Sequence, residues 1–175
     1  MNLRDEILKE HSKKQTMKIV KYIGNDQKRF DELMKLFLGK EYRVTQRAAW
    51  AVSVCGEEHS QLVKKHLKKI ILNLESTAEV AVKRNTVRVL QFIDLPESLH
   101  GITAKICFRL LNDLKETIAV RVFSMTVLAN LCRFHPELSN ELKLSIEAHL
   151  PYGSAGFHSR AKKVLKELDK ISING

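Results

Sequence analysis

The residues best suited to chemistry in this chain are a tryptophan and a row of basic side chains. Trp50 is the only tryptophan among 175 residues, and Arg47 precedes it by three positions. Residues three apart lie on the same side of a helix, so this pair could stack a base or hold a phosphate. The alternative is that Trp50 packs against a neighbouring helix pair. The further candidates for binding are Lys83, Arg84, Arg88, Arg121, His158, Arg160 and Lys163.

The segment from Pro151 to Arg160 is the second candidate site. It contains two glycines and two serines, and a helix is predicted to begin within it. A helix start next to Arg160 could bind an anion, because the amide groups of a first turn point outward unpaired. The alternative is a tight turn in which Ser154 caps the helix.

Several common chemistries are excluded by missing motifs. The chain has no GxxxxGK[ST], no HExxH, no GxSxG and no CxxC, and its seven histidines show no metal-binding spacing. We therefore expect no metal and no cofactor. A binding protein is favoured over an enzyme, and an enzyme stays open as the alternative. Three cysteines in apolar stretches predict a cytoplasmic, reducing location. No apolar run is long enough to span a membrane.

The elements that must position these side chains are helices with a repeating pattern. Val44, Val82, Val120 and Phe157 lie about 38 residues apart, and each begins a window of the repeat. Within each window, the residues at offsets 0, 4, 7, 8 and 11 from the first residue fall on one stripe of a helix. None of the residues on this stripe is charged, so each stripe predicts a buried face. Trp50 lies off the stripe. The windows are Val44, Ala48, Ala51, Val52, Cys55; Val82, Thr86, Val89, Leu90, Ile93; Val120, Ser124, Val127, Leu128, Leu131; and Phe157, Ala161, Val164, Leu165, Leu168.

An amphipathic segment precedes each window, which makes a unit of two helices, a first and a second. Val-Lys-x-x-Thr-x-x-x-Leu from Val82 and Val-Arg-x-x-Ser-x-x-x-Leu from Val120 resemble the second helix of the HEAT repeat, an armadillo-like family. The resemblance implies an all-α fold, a right-handed α-α superhelix of about five helix pairs, whose second helices line a concave, partner-binding face. We expect one domain over 1–175, with capping helices at 1–24 and pairs at 25–56, 57–94, 95–135 and 136–171.

The net charge of +10 is concentrated on the second helices. Four stretches that contain them, 42–56, 80–93, 117–136 and 148–166, hold eleven basic residues and no acidic one. A basic concave face would bind an anionic macromolecule, either nucleic acid or an acidic protein segment. The alternative is an internal ladder of ion pairs. Its expected acids are Glu41, Glu79 and Glu116, which stand just before three of the second helices.

An enzymatic alternative also follows from a resemblance. HEAT-like alkylpurine DNA glycosylases share this architecture and a basic concave surface, and in them aromatic residues and an acidic residue serve the damaged nucleotide. Here the first three turns of the second helices contain no acid, which leaves Asp94 and Asp113 as candidates. An acidic side chain within reach of Trp50 in one concave pocket would favour the enzyme.

Overall fold

The computed structural model describes residues 1–77 and 79–173, and side chains up to Ile171. Those ranges contain ten α-helices, four short 3-10 turns and no strand, which confirms the all-helical prediction. Consecutive helices form five pairs, each with a first and a second helix. The helices are α1 Leu3–Lys9, α2 Lys13–Ile23, α3 Gln27–Phe37, α4 Tyr42–Glu58, α5 Leu67–Ser76, α6 Val80–Leu90, α7 His100–Asn112, α8 Ile118–Cys132, α9 Leu138–His149 and α10 Ala155–Ile173.

Short polar side chains set several helix starts. Asp26 accepts hydrogen bonds from the first-turn amides of α3, and Thr117 does the same for α8. Ser12 caps α2, with its hydroxyl 3.1 Å from the amide nitrogen of Gln15. The side-chain amide of Gln15 donates to the backbone carbonyl of Glu6 at 2.7 Å and to its carboxylate at 2.8 Å.

The repeat stripe forms the core. All its residues except Leu165 are buried, including the small residues at offset 4, which are Ala48, Thr86, Ser124 and Ala161. Leu165 is half-buried, contrary to the expectation for that position. The equivalent Leu90 and Leu128 are each covered. Leu165 lies on α10, and within the described residues no further helix pair follows to cover its outer side.

The chain divides into two compact units, 1–94 and 95–175. In unit 1, α4 packs against α1, α2, α3 and α6, and in unit 2, α8 packs against α7, α9 and α10. The division falls at the residue where the sequence pattern placed a boundary between helix pairs. In the part of the chain that is described, no helix is long and apolar enough to cross a membrane.

Gly56 explains why one helix ends later than the sequence pattern predicts. The sequence pattern placed the end of the second unit's helix there, but α4 continues through Gly56 to Glu58. A Cβ atom on Gly56 would lie 2.1 Å from Cγ2 of Val89 and 3.0 Å from Cγ2 of Val63. The glycine is therefore required by close contact between α4 and α6, and does not terminate the helix.

Candidate binding site on the second helices

A pocket of about 370 Å³ opens in unit 1 between the second helices α4 and α6. It brings together two of the residues predicted for binding, Trp50 on α4 and Arg84 on α6. We call it the Trp50 pocket. Its lining residues are His11, Gln46, Trp50, Val80, Ala81, Arg84 and Asn85.

Trp50 is half-buried, so it is neither a core residue nor a freely exposed one. His11, from the connection between α1 and α2, lies against it with the two ring centroids 6.4 Å apart and the rings tilted by 46°. The indole therefore helps to form the wall of an open pocket. An aromatic wall of this kind can receive another planar ring.

Arg84 is the cation of the pocket. It is exposed, and within the described residues it makes no ion pair and no hydrogen bond. The first turn of α6 contributes Val80 and Ala81 to the lining, and its amides receive no side-chain cap from Glu79. The partial positive charge of this helix start adds to that of Arg84. Among the described residues that line the pocket there is no aspartate or glutamate, so no carboxylate of the lining neutralises Arg84.

Two amide side chains complete the pocket. Asn85 is 8% exposed, and its Nδ2 donates to the carbonyl of Ala81 at 2.8 Å. In the described residues, its Oδ1 accepts no hydrogen bond, and Gln46 makes none through its side chain. The pocket thus offers hydrogen-bonding groups that are not used within the protein.

Arg47 is not part of this pocket. Its guanidinium donates to the backbone carbonyl of Leu8 at 2.8 Å and to that of Ile7 at 3.4 Å. Both carbonyls belong to the last turn of α1. Arg47 therefore caps a helix end, and the predicted Trp50–Arg47 pair is replaced by Trp50 and Arg84 around one cavity.

The other two predicted cations of α6 have partners inside the protein. Arg88 forms an ion pair with Glu57, with Nε 2.6 Å from Oε1. Lys83 is half-buried and has an interaction partner of its own. Of the predicted cations on α6, Arg84 is thus the exposed one that remains available.

Arg121 lies in the core of unit 2. It is 4% exposed, its Nε donates to the carbonyl of Leu111 at 2.9 Å, and its guanidinium lies 5.0 Å from the ring centroid of Phe157. Burial lowers the pKa of Arg121 from its ordinary value, although Asp113 opposes this. A side chain so placed has almost no surface for a macromolecular partner.

The remaining predicted residues lie on α10. His158 and Lys163 are exposed, whereas Arg160 is half-buried and donates to the hydroxyl of Thr126. Ser154 caps the helix, with its hydroxyl 3.2 Å from the amide of Phe157. This contact matches the interpretation of the segment as a helix-capping turn.

One of the acids that a ladder of ion pairs would use, Glu41, is engaged elsewhere. Glu41 pairs with Arg4 of α1 at 2.9 Å, and Arg88 takes Glu57, an acid within its neighbouring second helix. Sequence reasoning considered acids as partners and missed the carbonyls at helix ends. It also missed His11, Gln46 and Asn85. Gln46 and Asn85 could have been found, since Gln46 precedes Trp50 by one turn and Asn85 adjoins Arg84.

A second cavity, of about 500 Å³, lies in unit 2. Its lining mixes Lys105 with Glu137 and Glu141, so it does not favour an anion. His100 and His135 meet there, with Nδ1 of one 2.9 Å from Nε2 of the other. No group of three metal-binding side chains is found in the described residues.

Pairs of helices repeated along the chain, each with a buried stripe on its second helix, define an α-helical repeat protein. The family model of the HEAT repeat domain matches residues 3–168, and the chain belongs to this family. The fold is therefore that of a helical repeat scaffold. No curated protein and no solved structure matches the chain.

Proposed function

We propose that the chain is a non-catalytic binding scaffold whose second helices α4 and α6 bind an anionic macromolecule. The observation that carries the proposal is the Trp50 pocket, where an aromatic wall meets Arg84, which is unpaired among the described residues, and where the described lining holds no carboxylate. HEAT repeat scaffolds typically serve in protein interactions, so a binding role agrees with the family.

The charge on the second helices α4 and α6 supports an anionic partner. Arg43 and Arg84 are exposed, without a partner among the described residues. Arg47 is bonded only to neutral carbonyls, so its charge is not cancelled. Arg88 is neutralised by Glu57 and adds little. Together with the net charge of +10, these residues favour the approach of a polyanion.

The glycosylase alternative required an acidic residue beside Trp50. In the part of the chain that the structure describes, the lining of the Trp50 pocket has none. Asp94 is exposed at the end of unit 1, and Asp113 follows α7 in unit 2, where its Oδ1 accepts from the amide of Lys115 at 2.8 Å. Neither aspartate lines the pocket, which favours binding over base excision.

The proposal requires no cofactor and no metal. We also propose a cytoplasmic location, because the three cysteines are buried free thiols. Burial raises the pKa of Cys55 and of Cys107 to about 12, so both thiols are protonated and unreactive at neutral pH.

A charge-reversal experiment tests the proposed function. Fluorescence anisotropy would measure the affinity of the full chain for labelled single-stranded DNA, duplex DNA, RNA and polyglutamate, each at low and moderate salt. Arg84→Glu should weaken binding of the preferred polyanion about tenfold and reduce its salt dependence. Lys68→Glu is the matched control, because Lys68 is exposed on α5, a first helix, and changes the net charge equally.

Equal losses from Arg84→Glu and Lys68→Glu would show that net charge alone drives binding, which contradicts a site on the second helices. Absence of binding to every polyanion at low salt would reject the proposed function. The arginines would then be explained by their contacts with helix-end carbonyls and Glu57.

A further inference from the structure

We infer that the partner is a single-stranded nucleic acid and that the Trp50 pocket receives one of its bases. The base stacks on the indole of Trp50, and the adjoining phosphate pairs with Arg84. This inference rests on the proposed function and narrows it from polyanions in general to one class.

The size of the pocket suits one nucleotide. Its volume of about 370 Å³ lies at the small end of the range for ligand pockets, roughly 300–1,000 Å³. A duplex cannot enter such a pocket, because its bases are stacked on each other and their ring faces are covered. A single strand exposes those faces, and each base can stack on an aromatic side chain.

The hydrogen-bonding groups of the pocket match the edge of a base. The Oδ1 of Asn85 is an acceptor that the protein leaves unused in its described residues, and Asn85 itself is 8% exposed. The imino or amino N–H groups of a base can donate to this acceptor. The side-chain amide of Gln46 can both donate and accept, so it tolerates different bases.

An acidic peptide fits the same pocket less well. A carboxylate would pair with Arg84 and a backbone N–H of the peptide could reach the Oδ1 of Asn85, but acidic side chains supply no planar ring for Trp50. A phosphate with its attached base satisfies all three groups. The chemistry of the lining therefore favours nucleic acid over an acidic protein segment.

Trp50 makes the inference directly measurable, because it is the only tryptophan in the chain. A stacked base quenches indole fluorescence. The intact protein would be titrated with oligothymidylate, with an abasic deoxyribose-phosphate oligomer of the same length, and with polyglutamate. Anisotropy of labelled versions would record binding separately. We expect binding and quenching with oligothymidylate, and clearly weaker binding without quenching with the abasic oligomer.

Variants then isolate the indole. Trp50→Ala should weaken oligothymidylate binding about tenfold but leave binding of the abasic oligomer unchanged, and Trp50→Tyr should retain most of the affinity. Tyr42→Ala is the matched control, since Tyr42 is a 57% exposed aromatic residue on the same helix and lies outside the pocket. Circular dichroism melting would verify that each variant is folded.

The possible outcomes separate this inference from the proposed function. Equal binding of both oligomers without quenching would overturn the base pocket and leave the polyanion scaffold intact. Quenching by polyglutamate with no binding of oligothymidylate would assign the pocket to an acidic peptide and overturn the inference. Failure of every polyanion to bind would reject the proposed function and the inference together. Because quenching is measured on the unaltered chain, a misfolded variant does not remove the test.

Discussion

At the scale of single residues, some basic side chains of the second helices bond to helix-end carbonyls, and one faces a pocket. Both kinds occur in the acid-free stretches of sequence. Arg47 and Arg121 donate to backbone carbonyls in the last turns of α1 and α7. The ends of helices carry unpaired carbonyls and a partial negative charge, which basic side chains stabilise. Arg84 makes no such contact and faces the Trp50 pocket. A stretch without acids is compatible with helix-end capping and with pocket lining, so only the geometry distinguishes the two roles.

Thr86 allows a prediction about a buried hydroxyl. It is 1% exposed, and its Oγ1 has no hydrogen-bond partner within the described structure. Valine has nearly the same shape without the polar atom. Thr86→Val should therefore raise the free energy of unfolding by about 1 kcal/mol, measured by urea denaturation.

Ser124, at the equivalent position of the next unit, is the comparison for this prediction. Its hydroxyl donates to the carbonyl of Val120 at 2.8 Å, so Ser124→Ala should lower stability by about 0.5–1 kcal/mol. Loss of stability in both variants would show that the Thr86 hydroxyl is satisfied in solution.

At the scale of helices, Gly56 sets the distance between α4 and α6. A methyl group there would meet Val89 at 2.1 Å. Gly56→Ala should therefore cost about 1–3 kcal/mol in the free energy of unfolding. Gly101 is the control, because it is exposed near the start of α7 and a Cβ atom there meets nothing within 4 Å. Gly101→Ala should be neutral or stabilise by about 0.5 kcal/mol. Similar effects of both changes would contradict the close contact.

The repeat stripe permits a comparison across units. Leu90 and Leu128 are 1% and 0% exposed, whereas Leu165 at the same repeat position is half-buried. Leu90→Ala and Leu128→Ala should each destabilise the protein by about 2–5 kcal/mol in chemical denaturation. Leu165→Ala should cost less, about 1 kcal/mol, because part of its surface is already in water. A loss below about 1 kcal/mol for both core leucines would mean that the stripe is misassigned.

At the scale of the whole molecule, the sequence predicts the helix pairs better than it predicts the site. The spacing from Val44 to Phe157 indicates the units because every unit must bury the same stripe. Gly56 could not be placed correctly, since a glycine at a helix end and one at a helix contact look alike in sequence. Trp50 and Arg84 were identified singly, but their meeting in one pocket depends on how α4 and α6 pack. That packing joins residues more than thirty positions apart, which no local pattern records.

The stability of the whole molecule in acid depends on two carboxylates in unit 1, Glu6 and Asp31, which connect separate helical elements. Hydrogen bonds from Lys18, Lys9 and Gln15 lower the pKa of Glu6 from 4.5 to about 2. Burial alone would raise the pKa of Asp31, but its bonds to Lys65, Gln27 and His66 prevail and lower it from 3.8 to about 2. These bonds connect α2 to α1, and the segment before α5 to α3.

The direction of the pH dependence follows from these shifts. Both carboxylates have a lower pKa in the folded chain than in the unfolded one, so their stabilisation is complete above about pH 4.5. It is lost as the pH falls towards about 2, while the net charge of the chain rises above +10 and adds repulsion. Urea denaturation between pH 7 and 2 should show this fall, and Glu6→Gln with Asp31→Asn should lower stability at pH 7 and flatten the curve. Glu32→Gln, at an exposed carboxylate without a partner among the described residues, should leave the curve almost unchanged. If the double variant kept the full slope, other carboxylates would control the acid response.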